Sequence, residues 1–231
     1  MQNLLLILTL LLPAAFAAAQ NAPQGGVAPL PIGAYEPASN ATAGVETSGA
    51  TNAAKSGRAS LLMGAGVQYT DEGEYAEAEQ AYLRALKNDP GNPDIRFNLS
   101  ALYAMMKRYK EAVDVLNSLA AEFPENLMVQ NNLAWIYATG GEMKNGKLAL
   151  RHAREAILSG PTQPLLWSTL AEAYCVVGQY DEALRALECA IDLLKTQGDP
   201  QKKISEFEGQ RTKILRAQQA YKRLQGVDEE K

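Results

Sequence analysis

An all-α solenoid of stacked helix pairs is the fold this sequence predicts, and three observations predict it. A small residue followed three positions later by tyrosine recurs as Gly66 and Tyr69, Ser100 and Tyr103, Ala134 and Tyr137, Ala171 and Tyr174. The first three of these tyrosines are spaced 34 residues apart. A second pattern of turn residue, aromatic and alanine follows as Gly73, Tyr75 and Ala78, as Lys107, Tyr109 and Ala112, and as Gly178, Tyr180 and Ala183. Such a period marks a repeat in which no unit buries its apolar face alone, so stacking makes one continuous core.

Taken in order, the chain of 231 residues opens on an expected export leader over 1–19. Leu4 to Leu12 is apolar but for Thr9, and Pro13 ends the run. The small residues Ala14, Ala15, Ala17, Ala18 and Ala19 then satisfy the small-x-small cleavage pattern. The run is short for a membrane span. Gln2 and Asn3 bring no positive charge, which keeps an uncleaved signal anchor as the alternative. The expected location is therefore periplasmic or secreted, or the inner membrane if the leader stays. Residues 20–58 follow as an expected disordered linker of Ala, Gly, Pro, Ser, Thr and Asn, with too few large apolar groups to offset the entropy of ordering.

The repeated region comes next. The small residues Gly66, Ser100, Ala134 and Ala171 on first helices face Ala78, Ala112, Ala149 and Ala183 on second helices, letting paired axes approach closely. Leu99, Leu133, Leu170, Leu116 and Leu187 fill the gaps, and Pro90 and Pro124 end the units. In the third copy the spacing from Ala134 to Ala149 is three residues longer than from Ala171 to Ala183, and the excess falls in the Gly- and Asn-rich stretch Thr139 to Gly146. That marks a longer turn, read as a tolerated surface insertion or a protruding contact loop. After a break at Thr196 to Pro200, residues from Gln201 to Gln225 predict a helix. Ile204, Phe207, Ile214, Tyr221 and Leu224 lie on one side, with Lys202, Lys203, Lys213, Arg216, Lys222 and Arg223 opposite. A polar-faced terminal helix is what a repeat array needs as a cap.

These columns resemble the tetratricopeptide repeat (TPR): the period and the small-residue, Tyr, Ala, aromatic and Pro positions all match its pattern. Four copies tile the chain at 59–92, 93–126, 127–163 and 164–197, followed by the capping helix and tail at 198–231. The stretch Asn131 to Thr139 also resembles a subtype of this repeat frequent in bacterial envelope proteins. The resemblance implies a right-handed superhelical solenoid whose first helices line a concave groove that holds a peptide or a partner's helix. By register the groove-lining residues are Met63, Val67, Phe97, Asn98, Ala101, Met105, Met128, Asn131, Asn132, Trp135, Leu165, Thr169 and Val176, with Ala104 on the same side. Asn98 and Asn132 stand where family members grip a ligand's backbone. Met63, Val67, Met128 and Asn132 replace the Lys, Asn and Arg of members that clamp a C-terminal carboxylate, so no clamp of that type is expected.

Charge and composition narrow the function. From 59 to 200 there are 12 Lys/Arg against 19 Asp/Glu, and from 201 to the end 8 against 5, so an acidic body carries a basic tail. Nothing here favours nucleic acid. One histidine, His152, read as lying on a solvated face, and two cysteines, Cys175 and Cys189, without metal spacing leave no enzyme chemistry to support. No cofactor or small-molecule substrate is expected. The expected function is an exported, non-enzymatic adaptor that binds a protein or peptide segment in its groove, in assembly of an envelope structure. The rival is a self-associating structural protein whose groove is filled by another copy or by its own linker. Contact with a membrane is expected only if the leader is retained.

Overall fold

The computed structural model describes residues 49–198 and 201–225, which contain nine α-helices and one short 3-10 turn. The expected leader and the linker up to residue 48 lie outside the described residues. Four antiparallel pairs follow one another: α1 (Gly49–Glu72) with α2 (Tyr75–Asn88), α3 (Pro93–Met105) with α4 (Tyr109–Glu122), α5 (Leu127–Thr139) with α6 (Gly146–Ser159), and α7 (Pro164–Val176) with α8 (Tyr180–Thr196). Helix α9 (Gln201–Leu224) closes the array against α8. No strand occurs among the described residues, and the molecule is an all-α repeat solenoid.

The first helix starts earlier than the sequence suggests. Residues 49–58, read as the end of the linker, belong to α1. Ala54 and Lys55 are good helix formers, and extending an existing helix costs far less than nucleating one.

Local chemistry explains where later helices begin. Asn92 caps α3 by accepting from the Asp94 and Ile95 amides, with Pro93 in the first turn, where a missing N–H costs nothing. Asn126 does the same for the amides of Met128 and Val129, and Asn145 for that of Leu148. Within three pairs, a left-handed residue turns the chain from first helix to second: Gly73 at φ 81°, Lys107 at φ 61° and Gly178 at φ 77°. In the third pair the longer turn folds as a 3-10 turn at Gly141–Met143, packed against α4 and α5, with Met143 half-buried on the core rather than projecting from it.

The alanine columns lie where the helices meet. Ala78, Ala112, Ala149 and Ala183 are fully buried, as are Ser100, Ala134 and Ala171 opposite them. At Gly66 a β-carbon would lie 2.6 Å from the Tyr82 ring, so only glycine lets α1 come this close to α2. Each later first helix packs on both helices of the pair before it: α3 on α2 and α1, α5 on α4 and α3, α7 on α6 and α5. Successive second helices meet one another weakly or not at all. The first helices are therefore crowded on the inside of the curve and the second helices spread on the outside. Crowding is greatest at α5, where every residue from Val129 to Ala138 is buried. Its sequence has no charged residue, as a helix enclosed on all sides requires.

Candidate partner groove

The inner face is built from one-turn steps along α1, α3, α5 and α7, and the structure divides the expected groove residues into two sets. Met63, Val67, Met105, Met128 and Leu165 are half-buried against the core and form the accessible wall, together with Val176. Phe97, Asn98, Asn131, Asn132 and Trp135 are buried, which corrects the expectation that they lie open on the groove surface. Ala101, Ala104 and Thr169 are buried as well. The cause is the enclosure of each first helix by the preceding pair, its own second helix and the next first helix: side chains that would line a wider groove fill the space between these neighbours.

Two of these buried residues carry an unusual cost. Both the oxygen and the nitrogen of the Asn131 and Asn132 side-chain amides lack a hydrogen-bond partner among the described residues. A buried polar atom left unpaired typically costs about 1–3 kcal/mol. Nothing in helix packing requires them, because leucine would fill similar space in a helix that is otherwise largely apolar.

At the far end the inner face is polar and already occupied. Ser168 and Glu172 stand one turn apart on α7, and Gln210 of α9 reaches both. It accepts from the Ser168 hydroxyl at 2.9 Å and donates to the Ser168 carbonyl and the Glu172 carboxylate, each at 3.3 Å. Burial pushes the Glu172 carboxyl up, opposed by the Gln210 hydrogen bond and by Lys213 and Lys144. Burial lowers Lys213 in turn and, with Glu172 nearby, raises the Cys175 thiol to about 11. Cys175 and the exposed Cys189 are both free. Sequence reasoning missed this cluster. Its signal was Gln210 standing between Phe207 and Ile214, a polar residue on the apolar side of α9. It also misplaced His152, which is buried and hydrogen-bonded to Gln130 rather than solvated. Among the described residues no group of His, Cys, Asp and Glu is placed to hold a metal ion, and no helix is long and apolar enough to cross a membrane.

A curved stack of helix pairs with an inner face of this kind defines the class of helical-repeat interaction scaffolds. Over part of its length the chain resembles the tetratricopeptide-repeat family. The family model for the tetratricopeptide repeat matches residues 69–136. A TPR repeat-containing protein of Methanocaldococcus jannaschii is 29% identical over 117 residues, which is 51% of this chain and 20% of that one, so the chain spans about a fifth of its relative's length. Among solved structures, the PilF protein of Pseudomonas aeruginosa is similar with a TM-score of 0.55 at 17% identity, over 77% of this chain and 80% of its own. The MamA protein of Desulfovibrio magneticus RS-1 follows at 0.52 and 18%, over 71% and 96%. A thermophilic TPR protein of Thermus thermophilus gives 0.51 and 18%, over 68% and 98%. At these identities the structures share the fold alone.

Proposed function

We propose that this chain is an exported, non-catalytic adaptor that holds a neutral, apolar segment of another protein along its inner face, in the assembly of an envelope structure. The observation that carries the reading is the orphan amide pair, Asn131 and Asn132, buried in α5, the helix that also supplies Met128 to the half-buried wall of Met63, Val67, Met105 and Leu165. Methionine adapts its shape to varied apolar partners, and the amides give a bound backbone the hydrogen bonds that fix its position. Because the amides are buried in the closed array, partner entry accompanies a small separation of neighbouring helices, a shift between states that the partner stabilises. The apolar run over Leu4–Leu12 supports export to the periplasm or beyond.

The test is an Asn131→Leu/Asn132→Leu variant screened beside the wild type against a displayed library of short peptides. The wild type should select apolar, weakly charged sequences and shift its tryptophan emission on binding. The variant should melt at the same temperature or higher and lose those binders. A variant that keeps them removes the amides from the site.

A further inference from the structure

The outer surface carries a charge pattern that the groove does not use. On α6, Lys147, Leu150, Arg151, Arg154, Glu155 and Leu158 fall at helical spacing and frame a shallow hollow of about 410 Å³. Leu158 is 82% exposed, second only to Leu224 among the large apolar residues described. Three cations on one helix face are unexpected in a body that is otherwise acidic. Arg154 leans toward Tyr174 of α7, but Lys147 and Glu155 have no ion-pair partner among the described residues.

The complement to this face stands one repeat away. Ala149 and Ala183 hold the same place in successive pairs, so each α6 residue matches the α8 residue 34 positions later. Lys147 then corresponds to Asp181, Arg154 to Glu188 and Leu150 to Leu184. Asp181 and Glu188 are exposed, and Leu150 and Leu184 are both half-buried. Glu188 has no ion-pair partner among the described residues, and Asp181 accepts from the neutral amide of Gln218 at 2.7 Å, so neither carboxylate is paired with a cation among the described residues. From these matches we infer that two copies of this chain associate back to back, α6 of each lying along α8 of the other. A twofold axis parallel to these helices and midway between them brings equal heights together. It sets Lys147 against Asp181, Arg154 against Glu188 and Leu150 against Leu184, each contact made twice as an isologous interface requires. Arg151 meets Arg185 in this arrangement, but Arg185 is already neutralised by Glu182 at 3.2 Å, and Glu155 lies one turn from Arg151. The inner faces of both copies stay open, so dimerisation doubles the number of grooves without blocking either. Paired grooves raise avidity for a partner with two binding segments.

Sedimentation of the full chain over a wide concentration range should show a monomer–dimer equilibrium that weakens as salt rises, because exposed charges carry much of the contact. Lys147→Glu/Arg154→Glu makes both faces acidic, and Asp181→Lys/Glu188→Lys makes both basic. Each variant alone should lose the dimer, with the association constant falling about tenfold or more. Mixing the two should restore it as a heterodimer, since each acidic helix then faces a basic one. Melting curves establish that both variants fold, and the milder Lys147→Gln/Arg154→Gln pair should weaken the dimer less while leaving the fold untouched. A wild type that stays monomeric, a dimer indifferent to both reversals, or a mixture of folded variants that remains monomeric overturns the inference.

Discussion

The Nδ1 of His152 lies 2.7 Å from the Gln130 side-chain oxygen, tying the two helices of the third pair together inside the core. The neighbouring contacts fix the tautomer. Arg151 donates to Nε2 at 2.9 Å, so the proton sits on Nδ1 and is donated to Gln130, whose amide nitrogen donates on to the Pro124 carbonyl at 2.8 Å. Burial, with Arg151 alongside, lowers the imidazole from 6.5 to about 4.

The first prediction follows from that shift. Well above pH 6.5 the ring is neutral in both folded and unfolded chains, and it contributes no pH dependence. As pH falls from 6.5 toward 4 the unfolded chain takes up a proton that the folded chain refuses, so stability is lost over that window. The loss attributable to His152 should be about 2 kcal/mol at about pH 4.5. Urea unfolding of the wild type and of His152→Gln at neutral pH and at about pH 4.5 checks it, and the gap between the two proteins should shift toward the variant on acidification.

The second concerns Lys107. It holds a left-handed backbone at the turn where the first and fourth pairs have glycine. A β-carbon in that conformation costs roughly 1–2 kcal/mol, part of which glycine returns through its larger unfolded-state entropy. Lys107→Gly should therefore stabilise the protein by up to about 1 kcal/mol, seen as a higher thermal midpoint.

Ala104 and Ala112 provide the third. The sequence register puts Ala104 on the groove side, where a large residue would be tolerated, and Ala112 at the helix crossing. Both are buried in the core, Ala104 at 4% and Ala112 at 0% exposure. Ala104→Phe and Ala112→Phe should each cost about 1–3 kcal/mol or more by overpacking. A melting temperature unchanged for Ala104→Phe would contradict the enclosure of α3.

The fourth concerns the aromatics of the inner face. Phe97 and Trp135 are buried, so Phe97→Ser and Trp135→Ser should each lower stability by about 3 kcal/mol or more rather than act on binding alone. Loss of partner capture by these variants is informative only after folding has been checked by circular dichroism. The Met105→Ser and Met128→Ser changes, on half-buried residues of the wall, test binding with less damage to the core.

The repeat was legible in the sequence because packing constraints recur at fixed offsets: close crossings demand Gly66, Ser100, Ala134 and Ala171, and the same demand returns once per pair. The depth of the inner face was not legible. Periodicity tells which residues point inward along α3 and α5, but whether Phe97 and Trp135 meet solvent or a neighbouring helix depends on the angle between pairs, and no local pattern encodes it. His152 was misread for a related reason. Its neighbours Arg151 and Arg154 signal an exposed face, yet His152 lies one step round the helix, on the side carrying Ala149, Ala153 and Ala156.

The uncharged α5 also bears on how such a protein can change over time. Repeat arrays are commonly pictured as modular, gaining or shedding units by duplication and deletion with little harm. Here the third unit is a keystone. Its first helix has no face suited to water, so a shortened chain that ended there, or one that lost the pair on either side, would present a largely apolar rod to solvent and aggregate. Among the described pairs the outer ones can drift or be exchanged, while those beside α5 must stay to cover it.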